Sequence, residues 1–115
     1  MRVVSVDQFE FENPSSEESV EIAVAKRSDF PFPDVAHFVA VRRSGEAHSA
    51  LDQPVPFAET LAYGLVRGYL QRFSGIAIPE RCAWPTYVFQ DGPDDWELVM
   101  CAPDCYIHYL WSTAA

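Results

Sequence analysis

The sequence predicts an α+β domain: an antiparallel sheet of about five to six strands with one main helix on one face, in the order β-β-β-(β)-α-β-β-β. Three observations predict it. Apolar and polar residues alternate with period 2 towards both ends of the chain, whereas one central stretch, Pro56 to Phe73, repeats apolar residues at helical spacing. A length of 115 residues leaves room for one core, so a single domain spanning 1–115 is expected.

Val3 to Glu12 alternates late in its run, with Phe9 and Phe11 against Gln8, Glu10 and Glu12, and predicts strand one. Asn13-Pro14-Ser15-Ser16 is turn chemistry, because Asn and Ser bond their own backbone and Pro fixes φ without offering a donor. Val20, Ile22 and Val24 alternate with Glu21, Ala23 and Ala25, which predicts a second strand ending near Lys26-Arg27. In Ser28-Asp29-Phe30-Pro31-Phe32-Pro33-Asp34 two prolines remove donors and hold their neighbours extended, so a stiff loop is expected. His37 to Arg43 is expected as strand three, with Ser44-Gly45 turning into a short return strand, Glu46 to Leu51.

Pro54-Val55-Pro56 introduces the helix, Pro being tolerated in a first turn, and Gly75 supplies a left-handed stop. On a 100° wheel Phe57, Ala58, Leu61, Ala62, Leu65, Val66, Tyr69 and Phe73 share a face, so Leu61, Leu65 and Tyr69 are expected to pack. Arg72 falls inside that stripe and must reach its edge. Gly64 and Gly68 on one flank predict a close approach by a neighbouring strand or loop, since each costs about 1 kcal/mol relative to Ala. Thr86 to Gln90, Trp96 to Ala102 and Cys105 to Ser112 then form a meander, turning at Asp91-Gly92-Pro93-Asp94-Asp95 and Ala102-Pro103-Asp104. Both faces of its last hairpin are apolar, with Trp96, Leu98, Met100, Tyr106 and Leu110 on one side and Val99, Cys101, Cys105, Ile107 and Trp111 on the other. Such a hairpin is either central to the fold or half of an interface.

Eight Lys plus Arg against 17 Asp plus Glu give a net charge of -9, which repels phosphate backbones and anionic lipid; neither nucleic acid nor membrane is an expected ligand. The acid is concentrated: six carboxylates and no base lie between Asp7 and Glu21, and no Lys or Arg follows Arg81. Met1 to Asp7 carries no secretory pattern, and the apolar runs stop far short of the roughly 20 residues that a bilayer requires. A cytoplasmic protein with reduced thiols is expected, three cysteines being too few for a disulfide framework.

Cys101, Cys105 and His108, with Cys82 as a fourth ligand, have the donor types for zinc but not the parity: a regular hairpin faces Cys101 to Cys105 and turns His108 away. No metal and no cofactor is expected. The same facing pair is a candidate redox couple, although Cys-x3-Cys lacks the spacing that lowers a thiol pKa. His37, His48 and His108 are the candidate bases; none sits in a nucleophile motif, so no catalytic residue is assigned.

Two features exceed what a core requires: aromatic Phe30 and Phe32 on a stiff acidic loop, and three tryptophans in so short a chain. Aromatic anchors ringed by acid are the anatomy of a protein-binding surface. In size and composition alone the chain resembles the small immunity proteins with which bacteria occlude toxins, and phage inhibitors that mimic nucleic-acid charge. The expected function is therefore a non-enzymatic binding or inhibitory module that masks a basic partner, a toxin or a nucleic-acid enzyme, through Glu17, Glu18, Phe30, Phe32, Asp94, Asp95 and Trp96. Two alternatives stay open: a small enzyme or ligand-binding domain with a pocket between helix and sheet, using His108, Tyr109 or Tyr87, and a homo-oligomeric subunit pairing through a sheet edge.

Overall fold

β-branched and aromatic residues recur along the segments that pair. In the computed structural model, which describes residues 2–6, 18–30, 35–42, 53–60 and 63–113, they build one antiparallel six-stranded sheet. The strands are β1 (Arg2–Val6), β2 (Glu18–Lys26), β3 (Val55–Pro56), β4 (Pro85–Asp91), β5 (Asp95–Cys101) and β6 (Cys105–Thr113), ordered β1-β2-β6-β5-β4-β3. The predicted α+β class and the C-terminal meander are observed. Its last strand docks in register on β2, from Glu18 opposite Thr113 to Lys26 opposite Cys105, which joins the two ends of the sequence at the centre of the sheet. The rest of the first predicted strand beyond Val6, the Ser44-Gly45 turn and the Glu46 to Leu51 strand lie outside the described residues.

The segment expected as strand three is a helix, α1 (Val35–Arg42). Phe38 and Val39 are both fully buried while Ala36, Ala40 and Val41 face solvent, a pattern that no strand can produce because its side chains alternate. Val35, Phe38, Val39 and Arg42 repeat at i, i+3, i+4 and i+7, and this stripe rests on the sheet. Phe30, next to a 3-10 turn at Arg27–Asp29, closes the same cluster by meeting Phe38 edge-on at 5.6 Å between centroids.

The main helix is shorter than predicted and turned about its axis. Pro56 belongs to β3, Phe57–Glu59 is a 3-10 turn, and α2 (Tyr63–Tyr69) runs into a π-helical turn, Leu70–Ser74. Val66 and Leu70 are fully buried, and Tyr63 packs edge-on against Phe57 at 4.8 Å, whereas Leu65 is 39% exposed. Including Phe57, which is not on the helix, rotates the wheel away from the true face. Arg72 consequently lies on the solvent side, over the ring of Phe73 at 4.9 Å. The stop is as expected: Gly75 has φ 71°, and its N–H donates to the Gln71 carbonyl at 3.2 Å. Residues after it fold back along α2, where Arg67 Nη2 donates to the Ile78 carbonyl at 2.9 Å and the Tyr63 hydroxyl to that of Pro79 at 2.8 Å.

Among the described residues no neighbour approaches Gly64 or Gly68; both are exposed, and a Cβ at either would meet no described atom within 4 Å, so no described contact offsets their cost in the helix. Gly64→Ala and Gly68→Ala should each raise stability by roughly 0.5–1 kcal/mol, read as a higher urea midpoint at unchanged m-value.

The two-sided apolar hairpin is central to the fold. Ile107 and Tyr109 of β6 point towards α2, together with Ile22, Leu98 and Met100. Tyr106 points towards α1, together with Ala25, Val99 and Cys101. The register pairs Cys101 with Tyr106 and Met100 with Ile107, one residue away from that expected, so the loop is longer and the face assignments of the two strands recombine. None of the described helices is long and apolar enough to cross a membrane.

Candidate functional site

Register brings polar residues of five strands side by side. Across the α1 face of the sheet one row reads Ser5, Glu21, Leu110, Glu97 and Gln90, and the next reads Ser19, Ser112 and Asp95. Gln90 joins the row because a bulge between Val88 and Gln90 shifts β4 by one residue and sets it opposite Glu97. α1 covers only the other half of this face, over Tyr106 and Val99. Among the described residues the remaining half is an open cleft of about 620 Å³, bordered by these residues and by Val20, Trp96 and Trp111, with three carboxylates and no Lys or Arg among its described lining residues.

Where the two halves meet, four side chains form a chain of hydrogen bonds. Arg42, in the last turn of α1, donates from Nη2 to Glu21 Oε2 at 2.6 Å and from Nε to His108 Nδ1 at 3.0 Å. The opposite nitrogen, His108 Nε2, lies 2.7 Å from Glu97 Oε2. A guanidinium only donates, so Nδ1 must accept and the imidazole carries its proton on Nε2, donating to Glu97. Both ring nitrogens are occupied in this way, and neither is bonded to a Ser or Cys that it could activate.

The sequence-predicted binding residues divide. Glu18, Asp94, Asp95 and Trp96 do come together at one end of the sheet, where Glu18 is opposite Thr113 and the Thr113 N–H donates to the Asp94 carbonyl at 2.9 Å. Glu18 Oε1 accepts from Trp111 Nε1 at 3.1 Å, and Trp111 meets Trp96 edge-on at 6.2 Å between centroids. Trp96 Nε1 in turn donates to the Gly92 carbonyl at 2.6 Å, which ties its ring to the turn carrying Asp94 and Asp95. Phe30 is elsewhere and buried, 8% exposed between Phe38 and Tyr106; its ring is core and not an anchor. Glu17 and Phe32 lie outside the described residues.

Of the candidate bases, His108 sits in the hydrogen-bond chain, His37 belongs to α1 and His48 lies outside the described residues. The space between α2 and the sheet, expected as the pocket of a ligand-binding domain, is filled by the core around Leu70, Ile107 and Tyr109. Tyr109 is fully buried there, its phenol pushed up by burial and then by Tyr69 and Glu18, while His108 and Tyr87 are on the other face.

Cys101 and Cys105 do not face one another: Cys101 packs under α1 and Cys105 packs with the α2 cluster. Burial, and then Asp104, push the Cys105 thiol up, partly offset by Arg27 and Arg2; burial likewise raises Cys82. The net upward direction opposes the thiolate on which redox reactivity depends. None of the three cysteines is in a disulfide, and among the described residues no group of three or more His, Cys, Asp or Glu could hold a metal ion.

Glu21, Glu97, Gln90 and the three serines are site residues that the sequence reading missed. Polarity at alternate positions, Ser19 and Glu21 on β2 and Asp95 and Glu97 on β5, was a signal, but only the register shows that these residues are neighbours. A comparison of the chain with protein-family models, with curated proteins and with solved structures finds no match.

Proposed function

We infer that the protein is a binding module that masks a basic surface of a partner protein with the acidic, tryptophan-bordered end of its sheet. One observation carries this reading: Glu18, Asp94, Asp95 and Trp96, with Trp111, gather at one end of the sheet, the two indole rings on its α2 side and, on its α1 side, an open cleft whose described lining residues include three carboxylates and no base. The anchor that the Phe30 loop was expected to provide passes to Trp96 and Trp111, which are half-buried and held by hydrogen bonds, so docking against them costs little side-chain entropy. A partner of this kind is a toxin domain or a nucleic-acid enzyme, whose basic groove complements the net charge of -9.

Steering and anchoring separate in kinetics. Against a partner captured from host lysate at low salt, the double charge reversal Asp94→Lys with Asp95→Lys should slow association by about tenfold and flatten its salt dependence. Trp96→Ala should chiefly speed dissociation, because desolvated aromatic contacts are lost only after docking. An association rate indifferent both to salt and to the charge reversal would sink the reading.

A further inference from the structure

The sheet holds α1 by two means of different kind. One is apolar, Phe38 and Val39 against Tyr106 and Val99. The other is the polar chain at the end of the helix, in which Arg42 reaches Glu21 and His108 while His108 reaches Glu97. The second depends on a proton position. His108 is 2% exposed, and among the described residues the groups that face it are Arg42 from α1, Glu97 from β5 and, through Arg42, Glu21 from β2. Its ring accepts at Nδ1 only while that nitrogen is unprotonated. A second proton would set an imidazolium N–H against the guanidinium N–H at a 3.0 Å contact, two donors with like charge and no acceptor between them. Glu97 would keep the ring in place by its bond to Nε2, and Glu21 would still attract Arg42, so the contact that fails is the one between helix and strand β6.

We propose that Arg42, His108, Glu97 and Glu21 form a proton-operated clasp, in which protonation of His108 at Nδ1 releases Arg42 Nε and loosens the last turn of α1 from the sheet. The apolar cluster keeps the rest of the helix docked. Because Glu21 and Glu97 belong both to the clasp and to the cleft lining, the response falls at the boundary between α1 and the cleft. The clasp requires no ligand and stands whether or not the cleft binds a basic protein.

The test follows His108 and α1 together in the full chain. Ring nitrogen shifts report when Nδ1 gains its proton, and amide hydrogen exchange, expressed as protection factors, reports the last turn at Val39 to Arg42. Protection there should fall by roughly tenfold in step with Nδ1 protonation, the scale of losing one charged hydrogen bond, while β5 and β6 keep theirs. In His108→Gln the amide oxygen accepts from Arg42 and the amide nitrogen donates to Glu97 at every pH, so the fall should vanish although both carboxylates are still present. Arg42→Met, which keeps the aliphatic stem, should show the low protection at every pH and serves if His108→Gln does not fold. Nδ1 protonation with unchanged protection in α1, a fall that persists in either variant, or a ring that stays neutral until the sheet itself unfolds would overturn the proposal.

Discussion

Phe38→Ala should destabilise the protein by roughly 3–5 kcal/mol, whereas Val41→Ala should stay within about 0.5 kcal/mol. Phe38 is fully buried between Phe30 and Tyr106, with ring centroids 5.6 Å away on either side, so truncation leaves a cavity that three fixed elements cannot easily close. Val41 is 48% exposed on the outer side of α1, where Ala is the better helix former. Val39→Ala supplies the internal contrast. A strand would make Val39 and Val41 equivalent and set both against Phe38; the helix pairs Val39 with Phe38 in the core and leaves Val41 outside. Urea unfolding of the three variants measures this directly, and equal losses for Val39→Ala and Val41→Ala would contradict a helix at this position.

Leu70→Ala should cost roughly 2–5 kcal/mol, and Leu65→Ala no more than about 1 kcal/mol. Leu70 is fully buried at the junction of α2 with its π turn, in the cluster that includes Val66, Phe57 and Ile107, and Leu65 faces water. The two substitutions remove the same atoms from the same side chain, five residues apart. Their difference therefore reads the orientation of the helix, free of the intrinsic transfer energy of leucine. A larger loss at Leu65 would restore the orientation that a continuous wheel from Phe57 implies.

The legible parts of this fold were those in which local chemistry alone decides. Period 2 in Val20 to Lys26 and Cys105 to Ser112, the Gly-Pro-Asp and Pro-Asp turns, and the left-handed stop at Gly75 each follow from a few adjacent residues. α1 was hidden because Phe38, Val39 and Val41 are β-branched or aromatic, types enriched in strands, and their helical spacing shows only once Val35 and Arg42 are counted with them. The phase of α2 was lost by including Phe57, a core residue that sits on a 3-10 turn. At the site, Glu18, Asp94, Asp95 and Trp96 could be named from charge and aromaticity. Glu21 and Glu97 are 76 positions apart in sequence and become neighbours only through the pairing of β2 with β6 and of β6 with β5. Nothing in a strand's own pattern specifies its partner.

The central claim is that the acidic end of the sheet is a contact surface, and amide-resolved mapping of the chain bound to a purified, captured partner tests it most directly. Hydrogen exchange and chemical-shift changes should concentrate on the start of β2 near Glu18, the turn and first residues of β5 from Asp94 to Glu97, and the end of β6 from Leu110 to Thr113. Their size should fall together as salt is raised. Changes confined to α2 or to the β1 edge, with the acidic end silent, or a bound partner that is itself acidic, would contradict it.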